Sequence, residues 1–464
     1  MMTSIFIKNG IIVTMDSKRR IIRDGAIAII DNEIVAVGKT GELLKDYGDA
    51  EFVIDAKDHV VMPGLVNTHT HFFQELGKNL GTDVNLLDWF RVAWQPIVEG
   101  MTDEDYYNAV KLACLEAIRT GTTTVLGYEH ALNAHPSAVE WVIKGLKESK
   151  IRAILGYGYQ DTGVEIGAPE VAIRDTQEII HDLESIMKRC NKHNEYMLKI
   201  WLAPGTVNWM TNELIQETIR LSEEYDAGIT VHMNETKAEY EYSKKIRGLS
   251  EVEYAFKKGL LREKTLAVHV VWVSDEEINL IAKTRTKVSH NPVSNMYLAS
   301  GVAPVPKMLK KNITVGLATD GPASNNNHDM FDVIRVTPLL HKVANLDPLA
   351  LTAEQTLEMA TILGAKSLML DHVIGSIEVG KKADIIILSL RKPNVVPVAD
   401  IPSLLVYSAS SENVETTIVN GEILMMNKKI LYDDEEKILR NAQKSLERII
   451  ERVRIEIKTK WVYE

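Results

Sequence analysis

The chain has 464 residues and a formal net charge of −11, with 45% apolar and 25% charged residues. This length exceeds what one compact core usually supports, so we expect one large domain and one smaller domain. The acidic excess disfavours a nucleic-acid partner or an anionic membrane surface, because both reward clusters of lysine and arginine.

Two features of the sequence favour a cytoplasmic setting. The cysteines, Cys114 and Cys190, lie far apart and form no CxxC spacing, which is typical of a reduced compartment. The N-terminal segment has no basic stretch before a long apolar run, and no run approaches 18 apolar residues. We therefore expect neither a signal peptide nor a membrane span.

Both ends of the chain are predicted to form short strands separated by turn residues. The predicted strands are Ile5–Lys8, Ile11–Met15, Ala26–Ile30, Glu33–Val37, Phe52–Asp55, Asp384–Ser389, Val414–Val419 and Glu422–Met425. We predict that residues 1–60 and 375–464 together form one small β-sandwich. A charged amphipathic helix is expected at Asp433–Ile457, within the same domain.

Between these ends, in residues 61–374, apolar runs alternate with amphipathic helical stretches, which is the pattern of parallel βαβ units. The predicted strands are Gly64–Asn67, Thr123–Gly127, Ala153–Tyr157, Lys199–Ala203, Ile229–Val231, Leu266–Val268, Val288–His290 and Thr314–Ala318. One helix is clearly marked, with Thr102 as its N-cap and Gly121 as its stop. Eight repeats predict an α/β fold, a (β/α)₈ TIM-type barrel whose chemistry lies at the carboxyl ends of its strands.

The alternative architecture is an open, doubly wound sheet. That fold would place a glycine-rich phosphate loop after the first strand, where this chain has Thr68-His69-Thr70-His71. We therefore favour the closed barrel.

Three histidines and one aspartate follow predicted barrel strands. His69 and His71 follow the first strand, and two alternate residues of a strand can point their imidazoles into one cavity. His232 follows the fifth strand and Asp320 the eighth. Three imidazoles and a carboxylate are typical of a catalytic zinc site. We predict one divalent metal per chain on these four residues, Zn²⁺ in preference to Fe²⁺, although the same ligands suit both.

Three residues near this site are predicted to be catalytic. Glu235 lies three residues after His232, where its carboxylate could take a proton from water and pass it to a ring nitrogen of the substrate. His269, after the sixth strand, could orient the water that the metal activates. Asp320 could relay a proton to the leaving group in addition to binding the metal.

The fourth strand indicates a single metal rather than a metal pair. It ends in Ala203-Pro204, with no lysine at its tip to act as a carboxylated bridging ligand, and Lys199 stands at the opposite end. A cyclic amidase with a metal pair is therefore a less favoured function. A non-catalytic paralogue is also disfavoured, because no predicted ligand is missing.

Taken in order, these motifs resemble the amidohydrolase superfamily, in its branch of mononuclear deaminases and s-triazine hydrolases. The resemblance is carried by Pro63–His71, His232–Glu235, His269 and Thr319–Gly321, and by the segment Gly375–Leu388. It covers nearly the whole chain and implies a homodimer or homotetramer.

Within that branch, Val293–Val305 and Gln74 are most similar to the s-triazine hydrolases such as atrazine chlorohydrolase and melamine deaminase. This similarity implies attack of metal-activated hydroxide on the ring carbon of an amino- or halo-substituted N-heterocycle. The alternative is a purine or adenosine deaminase, of the methylthioadenosine/S-adenosylhomocysteine or 8-oxoguanine type. Tyr157 and Gly205 stand where the nucleoside deaminases carry arginine and histidine, which favours the smaller ring.

The residues after the strand ends also suggest how a flat ring would be bound. Aromatic faces suit π-systems and exclude water, and amide and hydroxyl groups can read ring nitrogens. The predicted substrate-binding residues are Gln74, Trp89, Tyr157, Asn291, Ser324 and Asn325. Phe72, Phe73, Trp94 and Ser294 are further candidates.

Overall fold

The computed structural model describes residues 3–166, 168–191 and 196–455. Its first five strands are β1 (Thr3–Val13), β2 (Ile21–Ile30), β3 (Glu33–Lys39), β4 (Ala50–Asp55) and β5 (His59–Pro63). The two strands predicted at the N-terminus are one strand, β1, whose register with β2 shifts on either side of Gly10. Alternation along β1 sends Ile5 and Ile7 into one apolar cluster and Phe6 into another on the opposite face.

Eight parallel strands follow and form the second sheet. They are β6 (Leu65–Thr70), β7 (Thr122–Glu129), β8 (Arg152–Tyr159), β9 (Leu198–Pro204), β10 (Ile229–Met233), β11 (Thr265–His269), β12 (Lys287–His290) and β13 (Val315–Leu317). Each strand pairs with its neighbours in chain order from β6 to β13. All eight match predicted strands within a few residues, so the predicted (β/α)₈ barrel is confirmed.

Side chains join the first and last barrel strands. The amide of Asn67 donates to Thr319 Oγ1 (2.7 Å) and its Oδ1 accepts from the Thr319 backbone N–H (3.1 Å). Thr68 Oγ1 donates to the Leu317 carbonyl (3.0 Å), and the Asp320 N–H donates to the His69 carbonyl (3.1 Å). These bonds bring the residues after β6 and β13 to the same side of the barrel.

Most helices cover the outside of the barrel, whereas the first one packs against the first sheet. They are α1 (Thr40–Tyr47), α2 (Leu86–Trp89), α3 (Gln95–Gly100), α4 (Asp103–Arg119), α5 (Val139–Ser149), α6 (Thr176–Cys190), α7 (Asn212–Glu224), α8 (Lys237–Arg247), α9 (Glu251–Lys258), α10 (Asp275–Thr284), α11 (Pro292–Tyr297), α12 (Val305–Lys310), α13 (Pro322–Asn325), α14 (Met330–Asn345), α15 (Ala353–Ala360), α16 (Ile362–Ser367), α17 (Ile401–Ser403) and α18 (Glu435–Val453). Helix α4 begins after Thr102, as predicted, with a reciprocal capping box between Thr102 and Asp105.

The C-terminal strands return to the first sheet. They are β14 (Ile385–Ser389), β15 (Val414–Val419), β16 (Glu422–Met426) and β17 (Lys429–Ile430). Strand β14 lies antiparallel to β5, so both termini build one nine-stranded sheet. This confirms a separate β-rich unit from both ends of the chain, while the exact boundaries at residues 60 and 375 stay a prediction.

Helix α18 packs against α3 and α4 on the outside of the barrel. Its buried Ile449 contacts Gly100, and Arg452 donates to Asp105 (2.8 Å). The helix ends at Val453, with Arg454 in a left-handed conformation as its C-cap, and does not continue to residue 457 as predicted. Residues 456 and 457 lie outside the described part of the chain. Among the described helices, none combines the length and apolarity that crossing a bilayer requires.

Candidate active site

The predicted metal ligands come together at the carboxyl ends of the barrel strands. Ligand atoms of His69, His71 and His232 lie within 4.8 Å of one another, and so do those of His69, His269 and Asp320. Asp320 Oδ1 is 3.3 Å from Nε2 of both His69 and His71, and its Oδ2 is 3.9 Å from His269 Nε2. His69, His71, His269 and Asp320 are at least nine-tenths buried. His232 lines the cavity described below.

Backbone carbonyls orient two of these imidazoles. His71 Nδ1 faces the Tyr128 carbonyl and His232 Nδ1 faces the Gly205 carbonyl (3.0 Å), so each Nδ1–H donates and each neutral ring keeps a lone pair on Nε2. The Nε2 of His71 therefore faces a carboxylate oxygen with no proton between them, which is repulsive. A cation between the two atoms removes that repulsion, so this donor set fits a metal ion.

Burial keeps the histidines in their ligating, neutral form. It lowers the pKa of His69 to about 4 and also lowers the pKa of His232 well below its ordinary value. Burial alone would raise the pKa of Asp320, but its contact with His69 outweighs that effect and holds it well below its usual range. His69 and His232 are therefore neutral and Asp320 is ionised at neutral pH, as metal binding requires.

His269 differs from the other histidines in its hydrogen bonds. The side-chain amides of Asn291 and Asn295 lie 3.2 and 3.0 Å from its Nδ1, and an amide N–H can only donate. The ring proton therefore sits on Nε2, which faces Glu235 Oε2 at 3.4 Å. A protonated Nε2 suits a hydrogen-bond donor better than a metal ligand.

Glu235 is a buried carboxyl group beside His269. Its Oε1 accepts from Ser300 Oγ (3.1 Å), and only 7% of the residue is exposed. Burial, followed by the charges of Glu239 and Asp320, raises its pKa well above the ordinary value. A carboxyl group with a raised pKa is suited to taking up a proton and passing it on during a reaction.

A cavity of about 550 Å³ opens above these groups. Its walls are formed by His71, Gln74, Leu86, Trp89, Phe90, His130, Gly205, Thr206, Trp209, His232, Glu235, Glu239, His269, Leu298, Asp320 and Ser324. Three of the predicted substrate-binding residues, Gln74, Trp89 and Ser324, therefore line this cavity. Gln74 packs against Gly321, where a Cβ atom would come within 1.9 Å of its Oε1.

Tyr157 does not line this cavity, which corrects its predicted role. Strand β8 continues two residues beyond its predicted end, to Tyr159. The ring of Tyr157 is buried beside Arg174 and beside Asp182 of α6, and burial raises the pKa of its hydroxyl to about 12. The absence of an arginine at this position thus says nothing about the substrate.

Asn291 and Asn325 also lie outside the cavity wall. The amide of Asn291 donates to His269 Nδ1, and the amide of Asn325 donates to the Asn327 carbonyl (3.2 Å). The further candidates Phe72, Phe73, Trp94 and Ser294 are buried next to the cavity but are not among the residues that line it.

Several residues of the cavity wall were not predicted from the sequence. His130 follows β7 directly, so the strand-end position that identified the metal ligands could have found it. Trp94 Nε1 donates to its Nε2, and the two rings are nearly coplanar. Phe90, Trp209 and Glu239 come from long connections and from α8, where no local pattern signals proximity to the metal site.

Comparisons with known proteins agree with this geometry. The sequence profile of the amidohydrolase family matches residues 60–424. A 5'-deoxyadenosine deaminase from Methanosarcina barkeri is 39% identical over 453 residues, which cover 97% of this chain and 100% of that protein. A 5-methylthioadenosine/S-adenosylhomocysteine deaminase from Thermoanaerobacter pseudethanolicus is 35% identical, with coverage of 97% and 100%.

Two solved structures share the fold. A zinc-bound adenosine deaminase from Xanthomonas campestris superposes with a TM-score of 0.89 at 26% identity, covering 96% of this chain and 98% of that one. Atrazine chlorohydrolase from Arthrobacter aurescens gives a TM-score of 0.89 at 23% identity, covering 95% and 100%, which shows the fold alone.

Fold and site together define a hydrolase with a TIM-type barrel and a His/Asp cluster suited to a metal. The chain belongs to the amidohydrolase family. The predicted superfamily resemblance is thus confirmed, with both groups of relatives that it named.

Proposed function

We propose that this enzyme is a hydrolytic deaminase of an adenosine-type nucleoside with a modified 5′ position, working with one Zn²⁺ per chain. The relatives named as 5'-deoxyadenosine and 5-methylthioadenosine/S-adenosylhomocysteine deaminases match almost the full length of the chain. These relatives therefore favour the alternative prediction, an adenosine-type substrate, over the leading prediction of an s-triazine substrate. The similarity to triazine hydrolases supports only the fold.

The observation that carries this proposal is a second cavity that continues the first. It has a volume of about 730 Å³ and shares Leu86, Phe90, Thr206, Trp209 and Glu239 with the cavity above the metal site. A substituted triazine has no part that would reach this space. A purine bound at the metal site could extend its ribose and 5′ group into it, and burying that much ligand surface is typical of small-molecule sites.

In this proposal the chain's own groups handle the protons. His69, His71, His232 and Asp320 would hold a divalent metal, which would lower the pKa of a water so that it ionises near neutral pH. Glu235 takes a proton from this water and passes it to the ring nitrogen next to the attacked carbon, since its raised pKa lets it hold that proton. The carbon gains an oxygen and loses the amino group as ammonia.

The other polar groups orient the ring and the leaving group. His269, with its proton on Nε2, donates toward the nucleophile, and Asp320 accepts the proton that leaves with ammonia. We propose Gln74 and Ser324 as contacts to the purine edge and Trp89 as an apolar face against the ring.

Product release across a substrate panel tests this function, measured as ammonia for the amino-substituted substrates and as chloride for atrazine. The panel contains 5′-deoxyadenosine, methylthioadenosine, S-adenosylhomocysteine and adenosine, with melamine and atrazine as the rival substrates. We expect the highest kcat/KM on a 5′-modified adenosine. Turnover of melamine or atrazine with none of the nucleosides would refute the proposal.

A variant in the second cavity tests where the nucleoside lies. Ala238 lines that cavity but not the one above the metal, and it is exposed. Ala238→Phe should raise the KM for the 5′-modified nucleoside and leave the KM for a smaller ring substrate unchanged. Equal KM changes for both would mean that the second cavity does not hold the nucleoside.

Metal analysis of the purified protein tests the cofactor. We expect about one zinc equivalent per chain, because His69, His71, His232 and Asp320 converge on a single site. Two equivalents, or iron alone, would contradict this part of the proposal. A homodimer or homotetramer, a cytoplasmic location and the lack of a nucleic-acid or membrane partner stay predictions.

A further inference from the structure

A buried group of charges lies behind the metal site, outside the substrate cavity. His328 Nε2 is 2.8 Å from Glu75 Oε1, and these side chains are only 1% and 0% exposed. Lys78 Nζ is 2.7 Å from the other oxygen of Glu75 and also pairs with Glu116 (2.5 Å), which is partly exposed. Burying such charges is costly, so a buried ion pair is weak evidence of a purely stabilising role.

The charges of this group depend on one another. Burial on its own would raise the pKa of the Glu75 carboxyl, but the charges of His328 and Lys78 outweigh it and hold that pKa below its ordinary value. Glu75 is therefore ionised. Its negative charge lies close to the ring of His328 and holds that ring in position.

The other nitrogen of His328 connects to the metal-binding segment. His328 Nδ1 lies 3.3 Å from Thr70 Oγ1, and that hydroxyl lies 2.9 Å from the backbone carbonyl oxygen of Asp320. A hydroxyl has one proton and a carbonyl can only accept, so Thr70 donates to Asp320 and accepts from His328 Nδ1–H. Thr70 is the residue between the ligands His69 and His71.

Asp320 needs such support because its backbone is strained. Its φ angle is +63°, a left-handed conformation that residues other than glycine adopt only rarely. Its carbonyl also accepts from Thr319 Oγ1 (2.9 Å), and its N–H donates to the His69 carbonyl (3.1 Å). Strained residues persist where several contacts specify them together. The carboxylate of Asp320 then points at His69 and His71 because its backbone is held in this conformation.

We propose that His328, held by Glu75, is a positioning residue that acts through Thr70 to fix the metal-binding carboxylate of Asp320. The inference uses the metal site of the proposed function, but it does not depend on which substrate the enzyme deaminates. Its primary readout is zinc affinity, which can be measured without turnover.

The test is a double-mutant cycle between Thr70 and His328. Thr70→Val removes the hydroxyl at nearly constant volume, and His328→Leu removes the ring nitrogens. Each should weaken zinc binding by about 10–100-fold, the usual effect of losing a group that orients a metal ligand. The zinc dissociation constant is measured by competition with a chromogenic chelator. The double variant should bind zinc no more weakly than the worse single variant, because both changes break one chain of contacts.

Conservative variants and a matched control separate positioning from simple stabilisation. Thr70→Ser keeps the hydroxyl and His328→Asn keeps a donor near the Nδ1 position, so both should recover most of the zinc affinity. Asp384→Asn breaks a different buried ion pair, with Arg152, and should lower Tm without changing zinc affinity. With zinc saturating, kcat on the best substrate should fall in Thr70→Val while KM stays within a few-fold.

Several outcomes would overturn the inference. Wild-type zinc affinity in Thr70→Val would do so, as would additive losses in the double variant. If His328→Leu does not fold, Thr70→Val and Thr70→Ser carry the test alone, since neither touches the ion pair. If no panel substrate is turned over, the proposed function fails, but the zinc measurements still decide the role of His328.

Discussion

Single side chains at this site are distinguished by where their protons lie. His71 and His232 donate through Nδ1 to backbone carbonyls and offer Nε2 to a metal, whereas His269 accepts at Nδ1 from two asparagine amides and keeps its proton on Nε2. Identical residue types thus divide into ligands and a donor because their neighbours differ. Glu235, with its pKa raised by burial, lies beside that donor.

Glu235→Gln tests the proton carrier at the residue scale. Glutamine keeps the size of the side chain and can accept from Ser300, but it cannot take up and release a proton. We expect kcat on the deaminated nucleoside to fall by about 10²–10⁴-fold, the usual contribution of a general acid–base group. Zinc content and Tm serve as controls and should stay at wild-type values. Wild-type turnover in this variant would remove Glu235 from the mechanism.

The barrel strands and the segments that follow them pack closely against each other, and this packing holds the side chains of the site in position. The segment after β6 folds back so that Phe72 covers Gly127 of β7, where a Cβ atom would lie 2.0 Å from the ring. On the other side of the site, α14 begins at an N-cap aspartate, Asp329, directly after His328. Helix and strand ends therefore set the geometry that single residues use.

Gly127→Ala tests the packing of β7 against the segment after the metal ligands. The added methyl group must displace Phe72, which adjoins His71, and overpacking of this kind typically costs about 1–3 kcal/mol. We expect a lower Tm together with weaker zinc binding. Gly41→Ala in α1 is the matched control, because its Cβ atom would meet nothing within 4 Å. That variant should gain stability, by about 0.5–1 kcal/mol for an alanine in a helix.

Asp329 gives the start of α14 a pH-dependent stability. Burial raises the pKa of its carboxyl to about 6 from an ordinary value of 3.8. The folded chain therefore binds this proton more tightly than the unfolded chain, and its contribution to the free energy of unfolding falls as pH rises from about 4 to 6. The slope is at most about 1.4 kcal/mol per pH unit.

Urea denaturation between pH 4 and 8 measures this effect. Asp329→Asn keeps a capping oxygen for the Phe331 N–H but cannot titrate, so the difference between wild type and variant should change only below about pH 6. A constant difference across the whole range would contradict the assignment.

At the scale of the molecule, one ion pair ties the barrel to the terminal sheet. Arg152 at the start of β8 makes two hydrogen bonds of 2.8 Å to Asp384, directly before β14. Both side chains are almost fully buried, at 1% and 2% exposure. Asp384 also accepts from the Asn420 N–H (2.8 Å), so its carboxylate connects the barrel strand β8 with the turn between β15 and β16.

Asp384→Asn should destabilise the whole molecule without altering catalysis. The change leaves the Arg152 charge buried with a weaker partner, which typically costs about 3–5 kcal/mol. Chemical denaturation and the kcat of the zinc-loaded enzyme measure the two effects. Glu436→Gln is the control, because its pair with Arg440 is exposed and contributes about 0–1 kcal/mol. A loss of kcat comparable to the loss of stability would contradict this separation.

The sequence by itself determined the barrel, the terminal β-rich unit and the positions of the predicted metal ligands. These depend on short-range signals: apolar periodicity marks the strands, and residues at strand ends share one face of the barrel. His69, His71, His232 and Asp320 are found in this way, although some 250 positions separate the first from the last.

Only the tertiary structure decided which side chains line the cavity. Tyr157 was predicted to end its strand and to contact the substrate, but β8 runs two residues further and the ring of Tyr157 lies beside Arg174 and Asp182. Phe90, Trp209 and Glu239 reach the cavity from separate segments, and the continuation into a second cavity exists only once those segments are packed together. The shape of the cavity depends on contacts between residues that are distant in sequence, and local sequence patterns do not reveal those contacts.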